Sequence, residues 1–302
     1  MARIEGVAGQ TDDRTRLTIR RVIAYTVLIL FTVISLLPFY LLIINATRGK
    51  VQTGLQLVPS GNLGVNFKYL LGDTFKENYG NFFRSFFNSI IISASVTVLC
   101  VYFSALTAYA IHVYDFRLKK AAHTFILIVM MVPGQASAIG FYRMLKGMTI
   151  FGNNGLLDSY IPLIIPAIAA PGVYFFMIQY MSSSLPLEIV EAARIDGCGE
   201  FRTFNSIVLP VLKPAFAVQG IFCFVGAWNN LFMPQMLLDS PEKKTIPLIL
   251  QIMRANINSN PSASDAGAMN LYMVLAILPV IVVYLILSKY IIRGIALGAV
   301  KG

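Results

Sequence analysis

The sequence predicts an all-α membrane protein of six transmembrane helices, with a short pair of polar helices between the fourth and the fifth. Three observations predict it. Of 302 residues, 57% are hydrophobic and only 13% charged, at a mean hydropathy of +0.70, which is more apolar surface than a soluble core absorbs. Six stretches of the sequence reach the length of about 20 apolar residues that crosses a bilayer, and lipid leaves an open strand unsatisfied, so such spans are helical. Finally, one polar island, Glu191-Ala192-Ala193-Arg194-Ile195-Asp196-Gly197, stands between two of those stretches and is followed by Ile207-Val208-Leu209-Pro210.

The spans fall at residues 22–45, 87–111, 121–144, 157–181, 207–232 and 270–292. Ahead of the first, residues 1–18 are polar and glycine-containing and read as a flexible tail. The first span is too long for a cleaved signal peptide and lacks a small-residue cleavage site after a short apolar core. Hydroxyls at Ser93, Ser95, Thr97, Ser104 and Thr107 dot the second span, where such groups mostly satisfy helix contacts. Pro133-Gly134 marks a local irregularity in the third. Pro162, Pro166 and Pro171 in the fourth span, and Pro210 and Pro214 in the fifth, predict bends. Lys289 and Arg293 lie near the end of the sixth. Residues 19–302 read as one membrane domain with no internal repeat, carrying a polar loop at about 182–206 and another at about 234–269. Within the latter, 256–266 is rich in Asn, Ser, Pro and Ala and suits a mobile finger.

Basic residues set the orientation. On one side lie 14 of the 24: Arg3, Arg14, Arg16, Arg20, Arg21, Arg117, Lys119, Lys120, Arg194, Arg202, Lys213, Lys289, Arg293 and Lys301. The tight cluster ahead of the first span decides the matter. Both termini and the polar island are expected in the cytoplasm, with 48–86, a short loop around 151–154, and 234–269 outside the cell membrane. The formal charge of +10 therefore sets topology, and no nucleic-acid partner is expected.

Much chemistry is excluded. No carboxylate or histidine lies well inside a span, where an ion-coupled carrier needs one; Asp158, Lys213, His112 and His123 all sit near span ends. No phosphate-cradling glycine loop, metalloprotease helix or nucleophile elbow is present. The chain is therefore expected to be no enzyme and to carry no catalytic residue, cofactor or metal; any energy comes from a partner. Cys100, Cys198 and Cys223 show no paired or metal-ligand spacing and read as small hydrophobes.

The island has helical logic of its own. Ser183 or Ser184 can cap a helix with Pro186 and Glu188 in its first turn, running to about Ile195. Gly197 ends it in left-handed geometry, and 200–205 begin a second short helix. Leu187, Val190 and Ile195 are expected to pack back on the membrane helices, leaving Glu188, Glu191, Arg194 and Asp196 to a partner. Periodicity alone fits an ordinary amphipathic loop equally well.

Glu191-Ala192-Ala193, Asp196-Gly197, Phe204, Ile207, Leu209-Pro210 and Pro214 resemble the coupling motif of binding-protein-dependent ABC importers. Trp228-Asn229 resembles a pair in the fifth span of sugar permeases, although Asn230 stands where some relatives carry an acid. The terminus Arg293-Gly294-Ile295-Ala296-Leu297-Gly298-Ala299-Val300-Lys301-Gly302 is similar to the tail of the maltose-type second permease subunit. The resemblance implies the type I importer permease fold and transport of a carbohydrate, foremost an oligosaccharide. It implies a second homologous permease, two ATPase subunits that hold ATP and Mg, and an extracytoplasmic solute-binding protein. Glu191, Ala192, Ala193, Arg194, Asp196, Gly197, Ile207, Leu209 and Pro210 would form the ATPase-coupling set, with Glu191 pairing a basic residue, and Lys301 and Gly302 would reach between the ATPases. Sugars need hydrogen-bonding groups and aromatic faces, which nominates Gln135, Ser137, Trp228, Asn229 and Asn230 as path-lining. An importer of another solute, such as an amino acid or phosphate, shares the motif; a membrane scaffold or channel with no energised cycle is the reading from a different class.

Overall fold

The computed structural model describes residues 2–49, 55–148, 155–259 and 265–299, with side chains described between 17 and 291 of these. In chain order the helices are α1 (Ala2–Ala46), α2 (Leu63–Leu71), α3 (Asp73–Tyr79), α4 (Phe82–Val113), α5 (Lys119–Met130), α6 (Gly134–Gly147), α7 (Ile161–Ile164) and α8 (Pro171–Ser184). There follow α9 (Leu187–Ile195), α10 (Glu200–Thr203), α11 (Leu209–Val211), α12 (Lys213–Trp228), α13 (Phe232–Leu237), α14 (Ile246–Ser259) and α15 (Asp265–Ala299). Short 3-10 turns cover Ile165–Ile168 and Pro241–Lys243, and a π-helical segment, Phe204–Val208, joins α10 to α11. No strand occurs among the described residues.

Among the described residues, four helical stretches are long and apolar enough to cross a membrane: Leu17–Ala46, Phe82–Val113, Ile161–Ser184 and Asp265–Ile291. The third and fifth expected spans, 121–144 and 207–232, are not continuous helices. Lys119–Met130 and Gly134–Gly147 meet at 93°, and Glu200–Val211 meets Lys213–Trp228 at 82°, so six spans result only if each bent pair is one. Proline causes both breaks. Val132 precedes Pro133, which disfavours its helical conformation, and Pro133 itself is extended at ψ 123°. Pro214 sits in the first turn of α12, where its ring would collide with the carbonyl four residues back if the helix ran straight through Leu212.

Two compact units divide the chain, Met1–Lys68 with Asn260–Val274, and Tyr69–Ser259 with Leu275–Gly302. In the first, the backbone from Ala2 through Thr18, read from the sequence as a tail, is helical and continuous with α1. The carbonyls closing α1 need partners, and buried Asn66 supplies them, its Nδ2 donating to Ala46 O at 2.8 Å and Arg48 O at 2.7 Å. Gly267, at the start of α15, lies against the same place. A Cβ there would sit 1.5 Å from Arg48 O.

The second unit is organised on α4. Asn81 caps its start, Oδ1 accepting from Arg84 N at 3.0 Å, as N-cap asparagines do. The core between α4, α8 and α12 is built from Val101, Ala105, Ala108, Met177, Met181, Leu212 and Ala215. Small residues on α4 let the backbones approach. In the same packing Cys100 Sγ lies 3.1 Å from Cys223 Sγ of α12, a pairing that no local spacing in the sequence shows. Near the amino end of α4, Asn88 Nδ2 donates to Glu242 O at 2.9 Å and Ser89 Oγ accepts from Ile246 N at 2.9 Å. Asp158 joins that knot, accepting from Ser240 Oγ at 2.5 Å and Lys243 Nζ at 2.9 Å. Burial works to raise the Asp158 carboxyl, but the hydrogen bonds from Ser240, Lys243 and the Asp239 and Ser240 backbone outweigh it and hold the pKa at about 2. The expected loop at 234–269 is largely helical, carrying α14; of its finger, 260–264 lie outside the described residues.

Candidate functional site

The polar island folds as two short helices joined at a glycine. Pro186 precedes the first, and no side chain caps α9. Ser183 Oγ instead donates to Tyr180 O at 2.9 Å, so the expected serine cap does not form. Gly197 has φ +77°. Its N–H bonds Arg194 O at 3.0 Å and Cys198 N–H bonds Ala193 O at 2.9 Å, the two bonds of a Schellman end that needs left-handed backbone at the glycine. Nothing lies within 4 Å of a Cβ at this position, so a side chain here meets a conformational cost alone. For a β-branched residue that cost is about 1–2 kcal/mol. Gly197→Val should speed hydrogen exchange of the α9 amides about tenfold, with Gly197→Asn close to wild type; equal exchange in all three proteins would show that the turn does not depend on positive φ.

Burial sorts the island differently from expectation. Val190 and Ala193, three residues apart on α9, face inward at 0% and 4% exposure, with Val190 in the α4–α8 core. Ile195, expected to pack back, is 86% exposed, Phe201 is 73% exposed, and Leu187 and Ile189 are near 40%. A helix only nine residues long has a narrow inward stripe, and Val190 and Ala193 fill it. Glu188, Glu191, Ala192 and Asp196 are exposed, while Ile207 and Leu209 are half-buried and Pro210 exposed. Glu191 makes no hydrogen bond or ion pair among the described residues.

Arg194, expected to face a partner, is engaged within the chain. Its Nε donates to Glu200 Oε1 at 2.8 Å, and its guanidinium stands 5.2 Å over the Tyr114 ring. Glu200 Oε2 accepts from Tyr109 OH of α4 at 3.1 Å, and Tyr114 also hydrogen-bonds this carboxylate. Burial lifts the Tyr114 phenol above its usual pKa, and the Glu200 hydrogen bond adds to the effect, so the phenol stays a donor. Beside this cluster, Tyr102 OH donates to Asn205 Oδ1 at 3.2 Å, Phe204 packs on the Tyr109 ring at 5.3 Å, and His112 Nε2 meets Leu185 O at 3.2 Å. The sequence alone does not single out Glu200, Tyr109 or Tyr102. Tyr102 and Tyr109, two helical turns apart on one face, were the only available signal.

The residues nominated as path-lining are not gathered into one site. Gln135 and Ser137 are exposed near the start of α6, and Ser137 Oγ donates back to Gly134 O at 2.9 Å. Trp228 is 3% exposed, stacked on Phe224 at 5.6 Å, and its indole N–H donates to Ala276 O at 3.1 Å, so both its face and its polar edge are occupied. Asn229 is exposed. Asn230 lines a cavity of about 230 Å³ with Trp228, Ser89, Thr245, Cys100 and Cys223. Lys301 and Gly302 lie outside the described residues.

Several apolar helices, four long enough to cross a membrane and two bent pairs among the described residues, together with an exposed polar helix pair, define a multi-pass membrane protein. Comparison with known proteins gives the family: residues 101–297 match the binding-protein-dependent transport system inner membrane component, and this chain belongs to that family. Its members are transport components. The chain is 34% identical to the arabinooligosaccharides transport system permease protein of Bacillus subtilis, over 90% of this chain and 93% of that protein. It is 32% identical to the maltodextrin transport system permease protein of the same organism, over 94% and 97% of the two chains. Among solved structures it resembles a bacterial ABC transporter involved in the import of the acidic polysaccharide alginate, with a TM-score of 0.72 and 22% identity over 90% of this chain and 96% of that one, a likeness of fold.

Proposed function

We propose that this chain is the permease subunit of an ATP-driven importer of the type I fold, translocating a carbohydrate, foremost an oligosaccharide, that an extracytoplasmic binding protein delivers. The observation that carries the reading is full-length similarity to two oligosaccharide permeases, 34% and 32% identical. In this proposal the chain crosses the membrane six times, each bent pair counting once, with both termini and the α9–α10 pair in the cytoplasm. Residues 1–18 are the cytoplasmic extension, 19–302 the membrane domain, 182–206 the coupling loop and 234–269 the external loop.

The helix pair docks an ATPase. Its outward surface combines the unengaged Glu191 carboxylate with exposed Ile195 and Phe201, an apolar patch with a charge beside it, as docking surfaces have. Glu191, Ala192 and Asp196 meet the partner, Gly197 sets the turn, Ala193, Ile207 and Leu209 hold the pair against the membrane helices, and Pro210 lies exposed at the end of the coupling segment. ATP and Mg sit on the partner ATPases. A second homologous permease completes the pathway, with Asn230 and the exposed Asn229, Gln135 and Ser137 as this chain's polar contribution.

Reconstitution tests the proposal. The chain, purified with its permease and ATPase partners into proteoliposomes, should accumulate labelled oligosaccharide only with ATP and a loaded binding protein, and its ATP hydrolysis should rise with that protein. Sugar flux through the solitary chain without ATP would replace this reading with a channel.

A further inference from the structure

A partner pressing on the exposed face of α9 and α10 moves the membrane only if that push reaches a membrane helix. The chain on either side offers weak leverage. Leu185 and Pro186 enter α9 in extended conformation, and the π segment Phe204–Val208 leaves it. Apolar contacts of Val190, Phe204 and Val208 hold the pair near α4 but tolerate sliding, because such burial has no direction. A directional link is needed, and one carboxylate provides it.

We propose that Glu200 is a positioning residue that locks the helix pair to α4, so that displacement of α9 by an ATPase becomes displacement of α4; this rests on the importer reading above. Its two oxygens face donors from different elements. Oε1 takes Arg194 Nε of α9 at 2.8 Å and Oε2 takes Tyr109 OH of α4 at 3.1 Å, while the backbone of Glu200 begins α10. Three elements therefore converge on one acceptor pair. Tyr102 OH to Asn205, two turns nearer the start of α4, repeats the connection to the π segment. The chemistry is specific to a carboxylate. Arginine and a phenol in these positions both donate, so both arms need acceptors, and a glutamine has one acceptor and one donor end.

Stability is not the purpose of this cluster. The Arg194 and Glu200 side chains are 36% and 46% exposed, and ion pairs so placed contribute little to folding. Loss of the lock should therefore separate coupling from assembly, which a merely structural role would not do.

The test uses the complete importer in proteoliposomes. Glu200→Gln, Tyr109→Phe and the double variant are compared for assembly, for binding-protein-stimulated ATP hydrolysis and for solute accumulated per ATP hydrolysed. Assembly and hydrolysis should stay within about twofold of wild type, while solute per ATP falls about tenfold in Glu200→Gln, the size of one hydrogen bond to a charged group. Tyr109→Phe should fall in the same direction, and the double variant should be no worse than Glu200→Gln because both changes cut one link. Wild-type solute per ATP in both single variants overturns the proposal, and so does a loss that merely follows lower assembly. Should Glu200→Gln fail to assemble, Tyr109→Phe decides by the same ratio, since it keeps the ring on Phe204 and removes only the hydroxyl. Hydrogen exchange of amides 187–195 in the ATP-free complex is measured alongside and should quicken about tenfold in Glu200→Gln. A wild-type complex that neither hydrolyses ATP nor moves sugar sinks the importer reading, whereas the exchange result still judges the link from Glu200 to α4.

Discussion

Glu191→Lys is expected to abolish solute accumulation and binding-protein-stimulated ATP hydrolysis while membrane insertion and yield stay intact. The side chain is exposed on the outward face of α9, and lysine and glutamate have near-equal helix propensity, so the local fold has no reason to change. The effect arises at the interface. Under the proposed function Glu191 meets a basic group of the ATPase in a desolvated setting, and reversal sets two like charges together, costing several kcal/mol. That is on the order of a hundredfold or more in docking affinity. Capture of the ATPase by tagged permease, with transport measured on the same preparations, reads the effect directly. Normal capture and transport in Glu191→Lys would remove this residue from the docking surface.

Gly267→Ala should have the largest effect on the fold. The added methyl would lie 1.5 Å from Arg48 O and 2.5 Å from Asn66 Nδ2. The first neighbour is backbone, so no rotamer change relieves it. The second already donates to Ala46 O and Arg48 O, and moving it leaves the last carbonyls of α1 without their buried partner. Overpacking typically costs 1–3 kcal/mol where side chains can give way; here about 3 kcal/mol or more is expected. The melting temperature of the detergent-solubilised complex should drop, with a lower yield of folded protein. A melting curve identical to wild type would mean that the end of α1 relaxes freely.

What could be read in advance divides along physical lines. Helical class and the presence of several long apolar helices follow from composition and length, because lipid permits little else. Gly197 was legible because left-handed backbone selects glycine. Prolines 133, 210 and 214 announced disturbance, but whether a proline curves a helix or breaks it at 93° depends on the packing around it. Ile195 was misread, since periodicity on a helix of nine residues hardly fixes which edge turns outward. Trp228 looked available to a ligand, yet its indole N–H is taken by Ala276 O, 48 positions away. The meeting of Glu200 with Tyr109 spans 91 positions; no local pattern records it.

The π-helical turn at Phe204–Val208 gives the motif's spacing a meaning. There Leu209 N–H bonds Phe204 O, five positions back, which accommodates one more residue than an α-helical turn. Each residue of an α-helix turns the chain by about 100°. A residue deleted from this wide turn closes it to an ordinary α-helical turn and leaves Glu200 facing Tyr109, whereas a residue deleted between Glu200 and Thr203 swings Glu200 by about that angle relative to Pro210. The interval from Glu200 to Pro210 is thus a ruler with one spare mark: it tolerates exchange of letters along its length, and loss of a letter only where the turn is wide.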